Sequence, residues 1–228
     1  MPYKPAFGDF DDKYRDKEYA KIAIIPVCYD KTSTWIKGAD KGPQAILDAS
    51  AQLENYDIET SSEVCTKGIF CEDFITEVSS TEAMIEKVTQ KASENHQNGK
   101  FPVVIGGEHS VSIGACKAAY DQYPDISILH LDAHADLRDI YHGSKYNHAC
   151  VMARVREFAP AIHVGIRSVE HKELSTVNID NIFFARDIVG KKDWIEKAVS
   201  MMNDKVYISL DLDVLAPSIM PSTGTPQP

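Results

Sequence analysis

Short apolar runs rich in β-branched residues alternate along the chain with longer amphipathic segments, the pattern of strand–helix units repeated about a parallel sheet. Seven runs read as strands: KIAIIPVC at 21–28, KGIFC at 67–71, FPVVIG at 101–106, ISILHL at 126–131, AIHVGI at 161–166, NIFFA at 181–185 and KVYISL at 205–210. Helices are expected over 43–56, 80–98, 110–123, 147–158 and 191–203; Pro43 opens the first, Gly99 closes the second and Pro124 stops the third. No internal repeat, low-complexity tract or composition shift marks a linker, so residues 1–228 read as one domain. The expected architecture is a three-layer α/β/α domain with a mostly parallel sheet. From 216 onward the chain carries Pro217, Pro221, Pro226, Pro228 and Gly224 and no further element, so it reads as C-terminally incomplete.

Composition narrows the classes. With 43% hydrophobic and 25% charged residues, the chain matches neither disordered nor fibrous proteins. The net charge of −10, without a lysine or arginine cluster, argues against a nucleic-acid partner. The longest apolar stretch near the start, 22–28, is about a third of a membrane helix, so no membrane association is expected. No apolar run with a small-residue cleavage site opens the chain, and the expected compartment is the cytoplasm. The five cysteines, Cys28, Cys65, Cys71, Cys116 and Cys150, form no C-x-x-C pair and read as reduced core thiols.

In a parallel sheet, ligands gather beyond the carboxyl ends of the strands. Three of those ends are loaded. FPVVIG is followed by GEHS, with Gly106 and Gly107 allowing the sharp turn that presents His109. ISILHL is followed by DAHADL, placing Asp132, His134 and Asp136 two residues apart; KVYISL is followed by Asp211 and Asp213. In extended backbone, residues two apart share a face, so each set can converge on one point. Taken singly, His109 also fits a capping or core histidine, and Asp211 with Asp213 a solvated strand end. Taken together, four aspartates beside a core repel one another and call for positive charge, which two divalent cations supply in balance. The oxygen-rich donor set suits manganese or magnesium better than zinc alone. An EF-hand starting at Asp132 would need Gly and Glu where Leu137 and Gly143 stand. The phosphate-binding loop, the dinucleotide fingerprint, the serine-hydrolase elbow and the zincin motif are all absent.

These motifs, in this order, resemble the signature of the ureohydrolases, the arginase and agmatinase family. The resemblance runs from about Ala20 to the end and includes IPVCYDKTS (25–33), KGPQAI (41–46) and VGIRS (164–168). Leu137-Arg138-Asp139 and KYNHA (145–149) look like the agmatinase branch rather than arginases. The resemblance implies a manganese pair, with His109 and Asp136 on one ion, His134 and Asp213 on the other, and Asp132 and Asp211 bridging. It implies that Asp136 and His148 relay protons, while His142 and His163 read as local structure. Family members continue past a TGTPQP-like stretch (223–228 here) to a glutamate that grips the guanidinium and to a last strand and helices.

The activity expected on that resemblance is hydrolysis of agmatine to putrescine and urea by a hydroxide bridging two Mn2+ ions, in a homo-oligomer, trimeric or hexameric. A sister enzyme acting on arginine, guanidinobutyrate or another guanidino compound is the nearest alternative. A catalytically silent metal-binding subunit is an alternative of another class. A single-zinc deacetylase shares the architecture but carries a paired His-His that this sequence lacks.

Overall fold

The computed structural model describes residues 5–76 and 78–228. Among them the strands are β1 (Ile22–Pro26), β2 (Tyr56–Asp57), β3 (Ser62–Glu63), β4 (Ile69–Cys71), β5 (Phe101–Ile105), β6 (Ser127–Leu131), β7 (Ala161–Ile166), β8 (Ile182–Phe184) and β9 (Val206–Leu210). The α-helices are α1 (Gly42–Ser50), α2 (Thr81–Gln97), α3 (Val111–Gln122), α4 (Val151–Val155), α5 (His171–Leu174), α6 (Ala185–Ile188) and α7 (Asp193–Ser200).

All seven expected strand regions are strands, and every pairing among them is parallel. They form two sheets rather than one: β4-β1-β5 and β8-β7-β6-β9. Helices cover both faces of each, which gives the three layers. In the first sheet Ile25 packs with Met84 and Val88 of α2 and Val111 and Ala115 of α3, while Ile24 packs oppositely with Leu47 of α1 and Ile69 and Cys71 of β4. In the second, Ile128 and Ala161 meet α3 and α4, whereas Ile162 and Val164 meet Phe183 and Ala198 of α7. Ala161 and Ile162, adjacent on β7, thus serve opposite faces, as the pleat requires. Tyr207 of β9 packs against the buried clusters around α3 from both sheets, so α3 closes the seam between them. Met84 and Met152, both fully buried, are each worth ~1.5–3 kcal/mol of transfer free energy.

The differences from expectation lie at element ends. The helix expected over 43–56 stops at Ser50, whose buried hydroxyl donates to Leu47 O and accepts from Gly8 N; Tyr56–Asp57 then pairs antiparallel with Ser62–Glu63. Of 147–158, only Val151–Val155 is α-helical, because the Asn147 side chain caps a 3-10 turn at His148–Cys150 first. The last strand regions are trimmed as well: α6 begins directly at Ala185, and the helix of 191–203 narrows to Asp193–Ser200. Four of the five cysteines are buried and all are free thiols, as expected. No helix among the described residues is long and apolar enough to cross a membrane.

Candidate metal centre

The three loaded strand ends do meet. After β5 the chain turns at Gly107, where a Cβ atom would lie 1.9 Å from the backbone oxygen of Tyr29. That same oxygen accepts from Glu108 N at 2.9 Å, so the backbone must pass this close. Glu108 in turn accepts from the amide and hydroxyl of Ser110, both at 2.8 Å, which fixes His109 just ahead of α3.

After β6, convergence is achieved differently from the extended alternation expected. The strand ends at Leu131, and Asp132 Oδ1 accepts the backbone N–H of His134 at 2.6 Å. The chain then bends until Asp136 adopts φ +53°, a left-handed conformation uncommon for a residue with a side chain. This costs on the order of 1 kcal/mol and is held from two sides. Asp136 O accepts from Met152 N at 2.9 Å and Ala153 N at 3.1 Å, while Leu137 N donates to buried Glu173 at 2.9 Å. The third strand end also curls. Asp211 caps a 3-10 turn at Leu212–Val214 by accepting from Asp213 N at 3.0 Å. Arg167 anchors this turn by donating to Asp213 O at 2.7 Å and Val214 O at 3.0 Å, and it also donates to Gln227 O at 2.7 Å.

Six side chains therefore surround one locus. His109 Nδ1 lies 2.8 Å from Asp136 Oδ2, 3.1 Å from Asp132 Oδ2 and 3.6 Å from Asp211 Oδ2. His134 Nδ1 lies 3.0 Å from Asp213 Oδ2 and 3.6 Å from Asp132 Oδ1. Asp132 stands at the centre, 1% exposed, with one oxygen toward each histidine. The Asp211 side chain is 28% exposed and that of His134 24%, so the locus opens to solvent on their side.

The electrostatics are those of a crowded anionic cluster held by imidazoles. Burial opposes charge on His109, yet hydrogen bonds to Asp132 and Asp136 hold it protonated well above the ordinary histidine range. Burial likewise opposes charge on His134, and Asp132 and Asp213 raise it to about 10. Burial, then repulsion from Asp132, lifts Asp211 to about 7. Burial also raises Asp213. Asp132, although buried, stays well below the carboxylate range under the pull of His130, His109 and His134. No lysine or arginine among the described residues pairs with these four carboxylates, and protons on histidine and carboxyl groups take the place of positive charge. Such a set fits divalent cations: ligand atoms of His109, His130, Asp132 and Asp136, and separately of Asp132, His134 and Asp213, all lie within 4.8 Å of one another.

His148 is not joined to the six by the hydrogen bonds among the described residues. Its backbone N donates to Thr32 Oγ1 at 2.9 Å, its Nδ1 faces the same hydroxyl at 3.3 Å, and its ring meets Tyr141 edge-on. His142 also packs edge-on against Tyr141. His163 is more than local structure. It is 2% exposed, burial pushes it down to about 3, and its Nδ1 lies 2.9 Å from Nδ1 of His130. His130 carried no motif, yet its Nε2 lies 2.9 Å from Asp132 Oδ2. The period-two reading of DAHAD, extended two residues upstream, reaches it. Glu173 and Arg167 hold the turns at Asp136 and Asp213 through backbone groups, and no local pattern marks them.

Residues 20–228 match the Arginase family. The chain is 34% identical over 220 residues to an N(1)-aminopropylagmatine ureohydrolase of Synechocystis sp., covering 92% of this chain and 72% of that protein. It is 30% identical over 224 residues to an agmatinase of Pyrococcus horikoshii, covering 93% and 75%. The crystal structure of agmatine ureohydrolase of Thermoplasma volcanium superposes with a TM-score of 0.85 at 31% identity, covering 92% of this chain and 73% of that one.

Proposed function

The chain belongs to the arginase family and is a metal-dependent hydrolase of its agmatinase-like ureohydrolase branch, and from that premise we propose that it hydrolyses agmatine to putrescine and urea with a pair of manganese ions. The observation that carries this reading is the division of Asp132. Its Oδ2 faces His109 and its Oδ1 faces His134, so one carboxylate serves two clusters. His109 and Asp136 would complete one metal position, His134 and Asp213 the other, with Asp211 as second bridge. When bound, two divalent cations supply Lewis acidity and bring the pKa of water in the centre toward neutrality.

The remaining work falls to the chain. A guanidinium carbon is resonance-stabilised and a poor electrophile, so it must be held in line with the attacking water. Asp211 and His134 border the open side, through which a substrate would reach the centre. To Asp136, hydrogen-bonded to His109 at 2.8 Å, we assign the proton released as the carbon becomes tetrahedral. To His148, which rests on Thr32, we assign the proton passed to the leaving amine, without which the C–N bond does not break. The same reading carries a cytoplasmic enzyme assembled as a trimer or hexamer, which sedimentation of the purified protein checks.

N(1)-aminopropylagmatine is the second reading, because the Synechocystis enzyme is 34% identical against 30% for the Pyrococcus agmatinase. Urea release from protein loaded with Mn2+, assayed on agmatine, N(1)-aminopropylagmatine, arginine and 4-guanidinobutyrate, tests both. A higher kcat/KM on agmatine supports the first reading, and one on the aminopropyl compound replaces it with the second. Preference for either carboxylate-bearing compound, or no urea from any, overturns both.

A further inference from the structure

One rung of the second sheet is polar across three of its four strands. Ser209 of β9, His130 of β6 and His163 of β7 are register partners across three adjacent strands, and all three are buried to within 2% exposure. Buried polar groups at the centre of a parallel sheet cost stability unless they are hydrogen-bonded, and this rung spends its bonds on the cluster above it. Ser209 Oγ lies 2.9 Å from His109 Nε2, and His130 Nε2 lies 2.9 Å from Asp132 Oδ2. The rings of His109 and His130 stack at 5.4 Å, while those of His130 and His163 meet at 88° with Nδ1 facing Nδ1 at 2.9 Å.

A single tautomer of His130 satisfies both of its ring contacts. His163 donates from Nδ1 to His130 Nδ1, and His130 donates from Nε2 to Asp132. The opposite tautomer of His130 would turn a bare lone pair on the carboxylate. We infer that His130, aligned by His163, is a positioning residue that fixes the Asp132 carboxylate so that its two oxygens divide between the two halves of the centre. The inference rests on the two-metal reading and assigns a role to two buried histidines that the reaction does not otherwise use. Asp132 is central, so freeing its carboxylate to rotate would weaken both metal positions at once.

The test is manganese affinity, measured by chelator competition, together with steady-state kinetics on the substrate the protein accepts. H130F keeps the ring volume and removes the donor; H130Q returns an amide N–H near the lost Nε2. Expected are a 10–100-fold weaker manganese affinity for H130F, as for other outer-shell partners of metal ligands, a lower kcat with KM little changed, and recovery to within a few-fold in H130Q. H163L should weaken affinity in the same direction but less, and should cost nothing further in the H130F background. Unchanged affinity in folded H130F overturns the inference, as does an H163L loss that persists in that background. Should H130F not fold, H163L with wild-type affinity overturns it instead. Loss of one whole ion in H130F and H130Q alike would make His130 a ligand and overturn the positioning role. Wild-type protein that binds no divalent ion sinks the metal reading itself, a result distinct from all of these.

Discussion

Asp136 is the residue where local backbone preference yields to the site. It sits at φ +53° because Met152 and Ala153 hold its carbonyl and Glu173 holds the next amide. Asn tolerates that conformation at least as well as Asp, so D136N should leave the turn intact and cost the metal-free fold only the charge on its bond to His109, about 1.5–3 kcal/mol by denaturant titration, while weakening manganese binding. Glu173→Gln should act on the turn instead. It leaves one of two amide donors, Leu137 N or Glu170 N, without an acceptor, costs about 1–3 kcal/mol where that donor is the buried Leu137 N, and perturbs the centre only through the turn at 136–137. Asp132→Asn should lower bound manganese from two ions to at most one and cut urea release by more than the roughly 100-fold expected of an outer-shell change; retained turnover would contradict the shared role. The six residues of the candidate centre were legible because imidazole and carboxylate after an apolar run are conspicuous. His130 was passed over, because a histidine inside an apolar strand looks like core, although the same period-two spacing reaches it.

At the level of elements, the strand ends were readable and the path beyond them was not. Alternation accounts for Ala161 and Ile162 serving opposite faces, but it does not bring Asp132 and Asp136 together, and a bend with a left-handed residue does. The helix over 147–158 failed for a related reason: Asn147 caps a 3-10 turn and spends three residues before α4 begins. Two contacts made by distant residues hold these turns. Gly107 passes so near Tyr29 O that Gly107→Ala must push the 106–109 turn away from β1. A cost of about 3 kcal/mol is expected, read as a lowered unfolding midpoint together with weaker manganese affinity at His109. Arg167→Ala releases Asp213 O, Val214 O and Gln227 O together. Limited proteolysis should then cut within 216–228 faster than in the wild type, and unaltered cleavage would show that the arginine does not hold the segment.

Over the whole molecule, two parallel sheets meet across α3 and Tyr207; His109 follows a strand of one sheet, while Asp132, His134, Asp136, Asp211 and Asp213 follow strands of the other. The strand alternation predicted the layers but treated the seven strands as one sheet, since edge pairing leaves no mark in a strand's own sequence. A cluster spanning two sheets ties their stability to its charge. In metal-free protein, Asp211 is raised to about 7 and His134 to about 10, each above its unfolded value of roughly 4 and 6.5. Groups raised in this way stabilise the fold fully below their unfolded pKa and lose that contribution as pH rises through the folded one. The metal-free melting temperature should therefore fall between about pH 4 and 10, through Asp211 first and His134 after it. Manganese replaces those protons, so the stabilisation it adds should widen over the same range; a metal-free fold as stable at pH 9 as at pH 6 would contradict this. The most direct test is anomalous diffraction from a crystal grown with manganese. Two peaks are expected about 3.5–4 Å apart, one among His109, Asp132 and Asp136 and the other among Asp132, His134 and Asp213. A single peak, or peaks that leave Asp132 unshared, would contradict the dinuclear centre.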